Sequence, residues 1–339
     1  MPRRRAAYVL SIVASTVIAT TVAAQSTVGK VQQLAPDVYF YEGDIEKGHC
    51  NNGWVVFDDF VLVIDANFPS GAREVMAKIR EQTKKPIRFA FDTHHHGDHA
   101  YGNQIWADEG ATAVAHTGVL EEMKRLETGA FGGPPGRWED TAKEREDVRG
   151  SKLKPPTLLF PDTLIFDDGK HRVELHHFGT GHTKGDGVAW LPKERILFTG
   201  DAVVNGPYNF LGDGDTGAWI TTLDKVAALG ATTVGPGHGP LGKGGVVNEQ
   251  QTFFRELRRV VQAASARDAA AVQAATPSMR DELMKNAAIA RYVGDGFAGQ
   301  VGKVYTELTG KTLPDRQAEL EAERSHIAWH HGHAHPAGK

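Results

Sequence analysis

The sequence predicts an α/β fold in which two sheets pack face to face with helices on the outside. Three observations carry that expectation. Short apolar and β-branched runs alternate with segments of helical periodicity across residues 38–261. One half of this pattern is echoed in the other. The hydrophobic fraction, 40% of 339 residues, is enough for a full core without a disulfide or structural metal.

The elements follow in order. Val38–Tyr41, 54–57 and 60–64 are apolar runs separated by Gly, Asn and Asp, the pattern of short strands. Ala72, Val75, Met76 and Ile79 fall at i, i+3, i+4 and i+7, one face of an amphipathic helix. A strand at 87–91 runs into Thr93-His94-His95-His96-Gly97-Asp98-His99. Strands resume at 163–166, Arg172–His176, 187–191 and Ile196–Phe198. Trp219, Leu223, Val226 and Ala227 form a second helical stripe, and Phe253, Leu257, Val260 and Val261 a third.

The echo is specific. Leu62-Val63-Ile64-Asp65 is a strand ending in Asp, followed by a loop, a helix and a strand ending at the histidine cluster. Ile196-Leu197-Phe198-Thr199-Gly200-Asp201 is also a strand ending in Asp, followed by a loop, a helix and a short strand at 232–234 ending at Gly237-His238-Gly239. Two such halves place both histidine segments at strand ends, along one edge of a sandwich.

The ends and the middle read differently. Arg3, Arg4 and Arg5 precede an apolar run over 6–23, and Val22 and Ala24 precede a plausible cleavage before Gln25. Residues 1–24 are therefore expected to be a signal peptide, with no stable membrane anchor after cleavage and a periplasmic or extracellular location. The body is expected over 25–262, a helical C-terminal extension over 263–325, and a disordered His-rich tail over 326–339. Within the body, 127–157 carries Gly132-Gly133-Pro134-Pro135-Gly136 and a charged stretch. It is read as an inserted loop with one helix: a cover for a site or a solvated excursion. Cys50 is the sole cysteine, which excludes an intrachain disulfide and suits a small buried hydrophobe. The formal net charge is −4, and cleavage would remove three arginines and no acid. An acidic chain without a basic patch argues against a nucleic-acid partner and for a small-molecule substrate. Oligomeric state leaves no mark in the sequence.

His94-x-His96-x-Asp98-His99 is the strongest chemical signal. Zinc accepts imidazole nitrogen and carboxylate oxygen at about 2.0–2.2 Å, and four ligand-type side chains this close do not easily serve one ion. His94 and His96 share a face in an extended segment; Asp98 and His99, past Gly97, turn toward a second position. Three further candidates lie beside glycines, which permit tight turns and close approach: His182, Asp201 and His238. His95 faces the other way. His116, His171, His176 and His177 lack such turns and read as surface or satisfied core residues. Asp65 suits outer support of a ligand loop. Asp186 and Lys184 are open to that role or to substrate contact.

In order, the first motif, Gly181-His182-Thr183, Thr199-Gly200-Asp201 and Gly237-His238-Gly239 resemble the metallo-β-lactamase superfamily, over roughly residues 35–262. The resemblance implies the four-layer αβ/βα sandwich of that family. It implies that His94, His96 and His182 bind one metal, that Asp98, His99 and His238 bind another, and that Asp201 bridges the two. Two zinc ions are expected, with iron or manganese as alternatives. A hydroxide held between them would attack a carbonyl, and Asp98 would be the catalytic residue that accepts its hydrogen bond and relays a proton. The B1 class of β-lactamases has Cys at the position of Asp201 and Lys three residues later, where this chain has Val204. The B3 class lacks the bridging Asp. A bridging Asp resembles lactonases and glyoxalase II, so ester, lactone or thioester hydrolysis is favoured. The alternatives are a β-lactamase and an iron-dependent redox enzyme like the persulfide dioxygenases. Tyr208, Asn209, Phe210 and Trp219 are expected to line a pocket.

Overall fold

A computed structural model describes residues 26–265 and 268–313. The expected signal peptide and the His-rich tail lie outside the described residues. Among the described residues no helix is long and apolar enough to cross a membrane.

The first sheet has seven strands in chain order: β1 (Val31–Ala35), β2 (Val38–Tyr41), β3 (Asn52–Val56), β4 (Val61–Ile64), β5 (Ile87–Asp92), β6 (Thr112–His116) and β7 (Leu158–Phe160). The second has six: β8 (Thr163–Asp167), β9 (Arg172–His176), β10 (Val188–Leu191), β11 (Ile196–Phe198), β12 (Thr233–Gly235) and β13 (Gly242–Lys243), in the spatial order β13-β12-β11-β10-β9-β8. The echoed halves are real. Helix α1 (Pro69–Gln82) connects β4 to β5, which pair in parallel. Between them in the chain and α7 come the short helices α2 (Gly97–Ala100), α3 (Asn103–Asp108), α4 (Thr117–Leu126), α5 (Arg137–Glu144) and α6 (Glu146–Arg149). Helix α7 (Thr216–Ala228) then lies between β11 and β12, which also pair in parallel.

Strand periodicity explains the layers. In β2, Val38 and Phe40 point between the sheets, where they meet Leu175, Ala189 and Phe198 of the second sheet. Tyr39 and Tyr41 point outward onto the side covered by Val75 and Ile79 of α1 and Trp106 of α3. The second sheet turns Trp190, Leu197 and Val234 outward, against Trp219 and Leu223 of α7. Phe253, Phe254 and Leu257 of α8 (Gly245–Ser265) complete that layer. The result is helix, sheet, sheet, helix, the αβ/βα sandwich. Both faces of each central strand are buried, so those strands read as continuous apolar runs.

Two segments differ from expectation. The C-terminal region is not helical throughout. Its described residues form α9 (Ala269–Met284) and α10 (Phe297–Thr309), separated by a stretch holding only a 3-10 turn at Ala290–Tyr292, and 314–325 lie outside the described residues. Asn286, Gly294 and Gly296 break the helical run there, and Gly310, at φ 70°, ends α10. Val301, Val304 and Tyr305 of α10 join the same core as α7 and α8. The 127–157 segment holds two helices, α5 and α6, rather than one. It is anchored by Trp138 and Val148, which pack on Phe68 and Tyr101, so it is a fixed part of the molecule and not a solvated excursion.

Candidate metal centre

All seven candidate residues meet at one edge of the sandwich. Strand β5 ends at Asp92, residues 93–96 continue irregularly, and His96 caps α2, which carries Asp98 and His99. His182 lies between β9 and β10, Asp201 in the 3-10 turn Gly200–Ala202 directly after β11, and His238 just past β12. Glycine is required at two of these turns. Gly200 has φ 49°, and a Cβ there would lie 2.1 Å from Thr93 Oγ1. A Cβ on Gly237 would lie 2.0 Å from Asp201 Oδ1.

The side chains form two triads that could each hold a metal ion, His94–His96–His182 and Asp98–His99–His238. In the first, His182 Nε2 lies 2.8 Å from His96 Nδ1. In the second, His238 Nε2 lies 3.0 Å from Asp98 Oδ2 and 3.4 Å from His99 Nε2. Asp201 sits between them. Its Oδ2 is 3.5 Å from His182 Nε2 in the first triad. Its Oδ1 is 3.4 Å from His99 Nε2 and 3.6 Å from His238 Nε2 in the second.

The donor set fits a metal. Imidazole nitrogens and carboxylate oxygens are the atoms zinc takes. His94 Nε2 and Asp201 Oδ1 are buried without a hydrogen-bond partner, as groups waiting for a cation would be. The ring atoms facing away from the centre are held from behind. His94 Nδ1 lies 3.1 Å from Thr93 Oγ1, His96 Nε2 2.9 Å from Asp213 Oδ2, and His182 Nδ1 3.0 Å from the Phe210 carbonyl. Such outer partners fix the tautomer and raise the basicity of a metal-binding histidine. Asp65 Oδ2 lies 3.0 Å from His99 Nδ1 as a charge partner without hydrogen-bond geometry. Asp65 has the outer place read from sequence: its Oδ1 accepts from Thr93 N–H and Oγ1–H, and it adopts φ 65°, a conformation few non-glycine residues take.

The model of the metallo-β-lactamase superfamily matches residues 45–238, a stretch that holds all seven candidates. This chain belongs to the metallo-β-lactamase superfamily. It is 36% identical to a type 2 metallo-β-lactamase of Bacteroides fragilis over 108 residues, 30% of this chain and 41% of that protein. It is 24% identical to the type 2 metallo-β-lactamase of Bacillus cereus over 193 residues, 55% of this chain and 66% of that one. The alignments thus span less than two thirds of either relative. A metallo-β-lactamase structure from Pontibacter korlensis superposes with a TM-score of 0.54 at 18% identity, covering 67% of this chain and 98% of that one. That likeness is one of fold.

Electrostatics keep the first triad of this metallo-β-lactamase-fold centre in a binding state. Burial drives His94 well below the usual imidazole range, lowers His182 and takes His96 to about 3, so these rings are neutral with lone pairs available. Burial opposes the charge of Asp98, but His99 and His238 more than reverse it and hold the carboxyl well below its usual range. Burial likewise opposes the charge of Asp201, and His238 and His99 outweigh it.

A cleft opens over the centre. Tyr208 and Phe210 line it, as expected. Asn209 and Trp219 do not. Asn209 is buried, and its carbonyl accepts from Gln300 Nε2; Trp219 is core, its Nε1–H donating to the Ala202 carbonyl. Lys184 points away, its Nζ 3.7 Å from Glu122 and its side chain 65% exposed. Asp186 is an outer support, accepting from Thr183 N–H and Oγ1–H beside His182. His95 is fully buried, with Nε2 3.7 Å from Asp213 Oδ2. Cys50 is buried as expected, yet it also groups with Asp65 and His99 behind the centre.

Three residues near the centre escaped the sequence reading. Asp213 holds His96, and Arg137 of the 127–157 segment grips both oxygens of Asp213 at 2.6 and 2.9 Å. Glu127 lines the cleft, accepting from Tyr101 Oη–H at 2.7 Å and Trp138 N–H at 2.6 Å. Asp213 did carry a signal: Gly212 and Gly214 flank it, as glycines flank the other candidates.

Proposed function

We propose that this protein is an exported dinuclear zinc hydrolase that cleaves esters, lactones or thioesters of small molecules. The observation that carries this reading is the placement of Asp201, one oxygen toward each triad. A carboxylate so placed suits a bridge between two ions. Zinc ions held by His94, His96 and His182 and by Asp98, His99 and His238 would supply Lewis acidity and a water deprotonated near neutral pH. Water adds to the carbonyl carbon, the bond to the leaving oxygen or sulfur breaks, and the proton passes to the leaving atom. Asp98, ionised and at the floor of the cleft, can accept that proton at a carboxylate oxygen and release it. The aromatic faces of Tyr208 and Phe210 stand beside the two triads, 6.0 Å from the His238 ring and 5.7 Å from the His96 ring, and offer apolar contact to the acyl or leaving group. Export rests on the Arg3–Arg5 start, the apolar run and the Val22-x-Ala24 ending.

A second reading, β-lactam hydrolysis, is favoured by the names of the Bacteroides fragilis and Bacillus cereus relatives. It is disfavoured by Val204, which is buried and uncharged, and by Lys184, which is turned out of the cleft. The test is elemental analysis of protein purified without chelator, then kcat/KM for an aryl ester, a lactone, a thioester and a cephalosporin. About two zinc ions per chain and esters or thioesters as best substrates are expected. A cephalosporin better by tenfold, about 1.4 kcal/mol at the transition state, would establish the second reading instead.

A further inference from the structure

Arg137 is the one Lys or Arg that lines the cleft among the described residues. It is not free. Its guanidinium meets Asp213 in a two-bond fork, at 2.6 Å to Oδ2 and 2.9 Å to Oδ1. Asp213 in turn also accepts from His96 Nε2–H, so it cannot swing away without releasing that ring. The pair is largely shielded, with side-chain exposures of 23% and 9%, so its Coulomb attraction is weakly screened. Lys184 and Lys303 are engaged elsewhere. Lys184 faces Glu122, and Lys303 Nζ lies 3.2 Å from the Gly212 carbonyl.

The remaining wall is acidic or aromatic. Glu127 lines the cleft with both oxygens already accepting, from Tyr101 and Trp138. Tyr101, Tyr208 and Phe210 line it beside His95, Gly97 and the candidate ligands.

From this arrangement we propose that the site selects acyl substrates that carry no carboxylate or other anionic group, with an apolar or aromatic moiety seated against Tyr208 and Phe210. The inference rests on the hydrolase reading above and names its substrate class. Beyond the metal ions, a substrate anion would find the wall's one cation already neutralised by Asp213. An uncharged substrate meets no such penalty and gains apolar contact.

The test is a matched pair of aryl esters that differ only in a carboxylate or its primary carboxamide, placed on the acyl chain away from the scissile bond. The zinc-loaded full chain is expected to favour the carboxamide at least tenfold in kcat/KM. In D213N the amide oxygen still accepts from His96 while Arg137 gains a free charge, so that preference is expected to fall at least tenfold. Equal or better turnover of the carboxylate by the wild type overturns the inference and leaves the hydrolase reading intact. Failure to cleave either ester overturns the hydrolase reading. The same pair, made as uncleaved amides and titrated calorimetrically into the zinc-loaded protein, then still reports the charge preference; tighter binding of the carboxylate amide would overturn the inference there too.

Discussion

Replacing Asp213 by Ala should weaken zinc binding although Asp213 is not itself one of the seven candidate ligands. An ionised carboxylate is an acceptor only, so the 2.9 Å contact from His96 Nε2 puts the ring proton on Nε2 and leaves the Nδ1 lone pair facing His182 Nε2. Burial opposes the charge on Asp213, but His95, His96 and Arg137 reverse it and hold the carboxyl far below its usual range. Loss of an outer partner of this kind lowers metal affinity by about 10- to 100-fold, roughly 1.4–2.8 kcal/mol. D213A should lie near the upper figure. D213N keeps an acceptor for His96 and should lie near the lower. D213A also leaves Arg137 unpaired at 23% side-chain exposure. Removing one partner of a fully buried pair costs about 3–5 kcal/mol, and the partial exposure reduces this, so a stability loss of about 2 kcal/mol is expected. Competition titration against a chromophoric zinc chelator reads the affinity, and thermal unfolding of the metal-free protein reads the stability. A D213A variant that binds zinc within twofold of the wild type would refute the idea that Asp213 orients His96.

Three further outcomes are expected. Burial raises the Glu127 carboxyl to about 7, so the folded state binds this proton more tightly than the unfolded chain does. Its contribution is therefore fully present below about pH 4.5 and lost as pH rises toward 7, by up to about 3 kcal/mol; urea unfolding at pH 5 and 8 should show wild type losing stability relative to E127Q. In G237A the added Cβ would fall 2.0 Å from Asp201 Oδ1, so zinc stoichiometry and activity should drop together, by tenfold or more in kcat/KM, while far-ultraviolet circular dichroism stays unchanged. Truncation after Ser325 removes five of the 16 histidines and should leave kcat/KM within twofold when zinc is in excess.

The sequence revealed what depends on local pattern. Val38–Tyr41, Arg172–His176 and Ile196–Phe198 are strands with the bounds their apolar runs indicate. The seven candidates were legible because glycines and strand ends mark them. Strands β1, β6, β7 and β13 were missed. β1 alternates Val31-Gln32-Gln33-Leu34 weakly at a sheet edge, and β7 is three residues long, so neither carries a full period. The role of Arg137 was invisible for a different reason. Its partner is 76 residues away, and no periodicity links a charged residue in a Gly/Pro-rich segment to an Asp past the second half's strand. Lys184 shows the converse: it stands near His182 in sequence, yet its side chain leaves the cleft for Glu122.

These failures have a common origin in the way the fold divides its labour. Parallel pairing of β4 with β5 and of β11 with β12 delivers both ligand segments to one edge, and that geometry is written in strand-length patterns. Candidate ligands at strand ends are then fixed by short-range carboxylate contacts: Asp65 on Thr93, and Asp186 on Thr183. The chemistry above the ligands is set by segments that cross between halves. Asp213 from the loop after Asp201, Arg137 from the 127–157 segment and His96 from the first half close one chain of contacts. Because that chain ends on a candidate ligand, a change in the 127–157 segment can alter metal affinity as well as the charge a substrate meets. Shared ligands can therefore leave superfamily members with different substrates, since the wall and the centre are coupled through residues that the ligand motif does not contain.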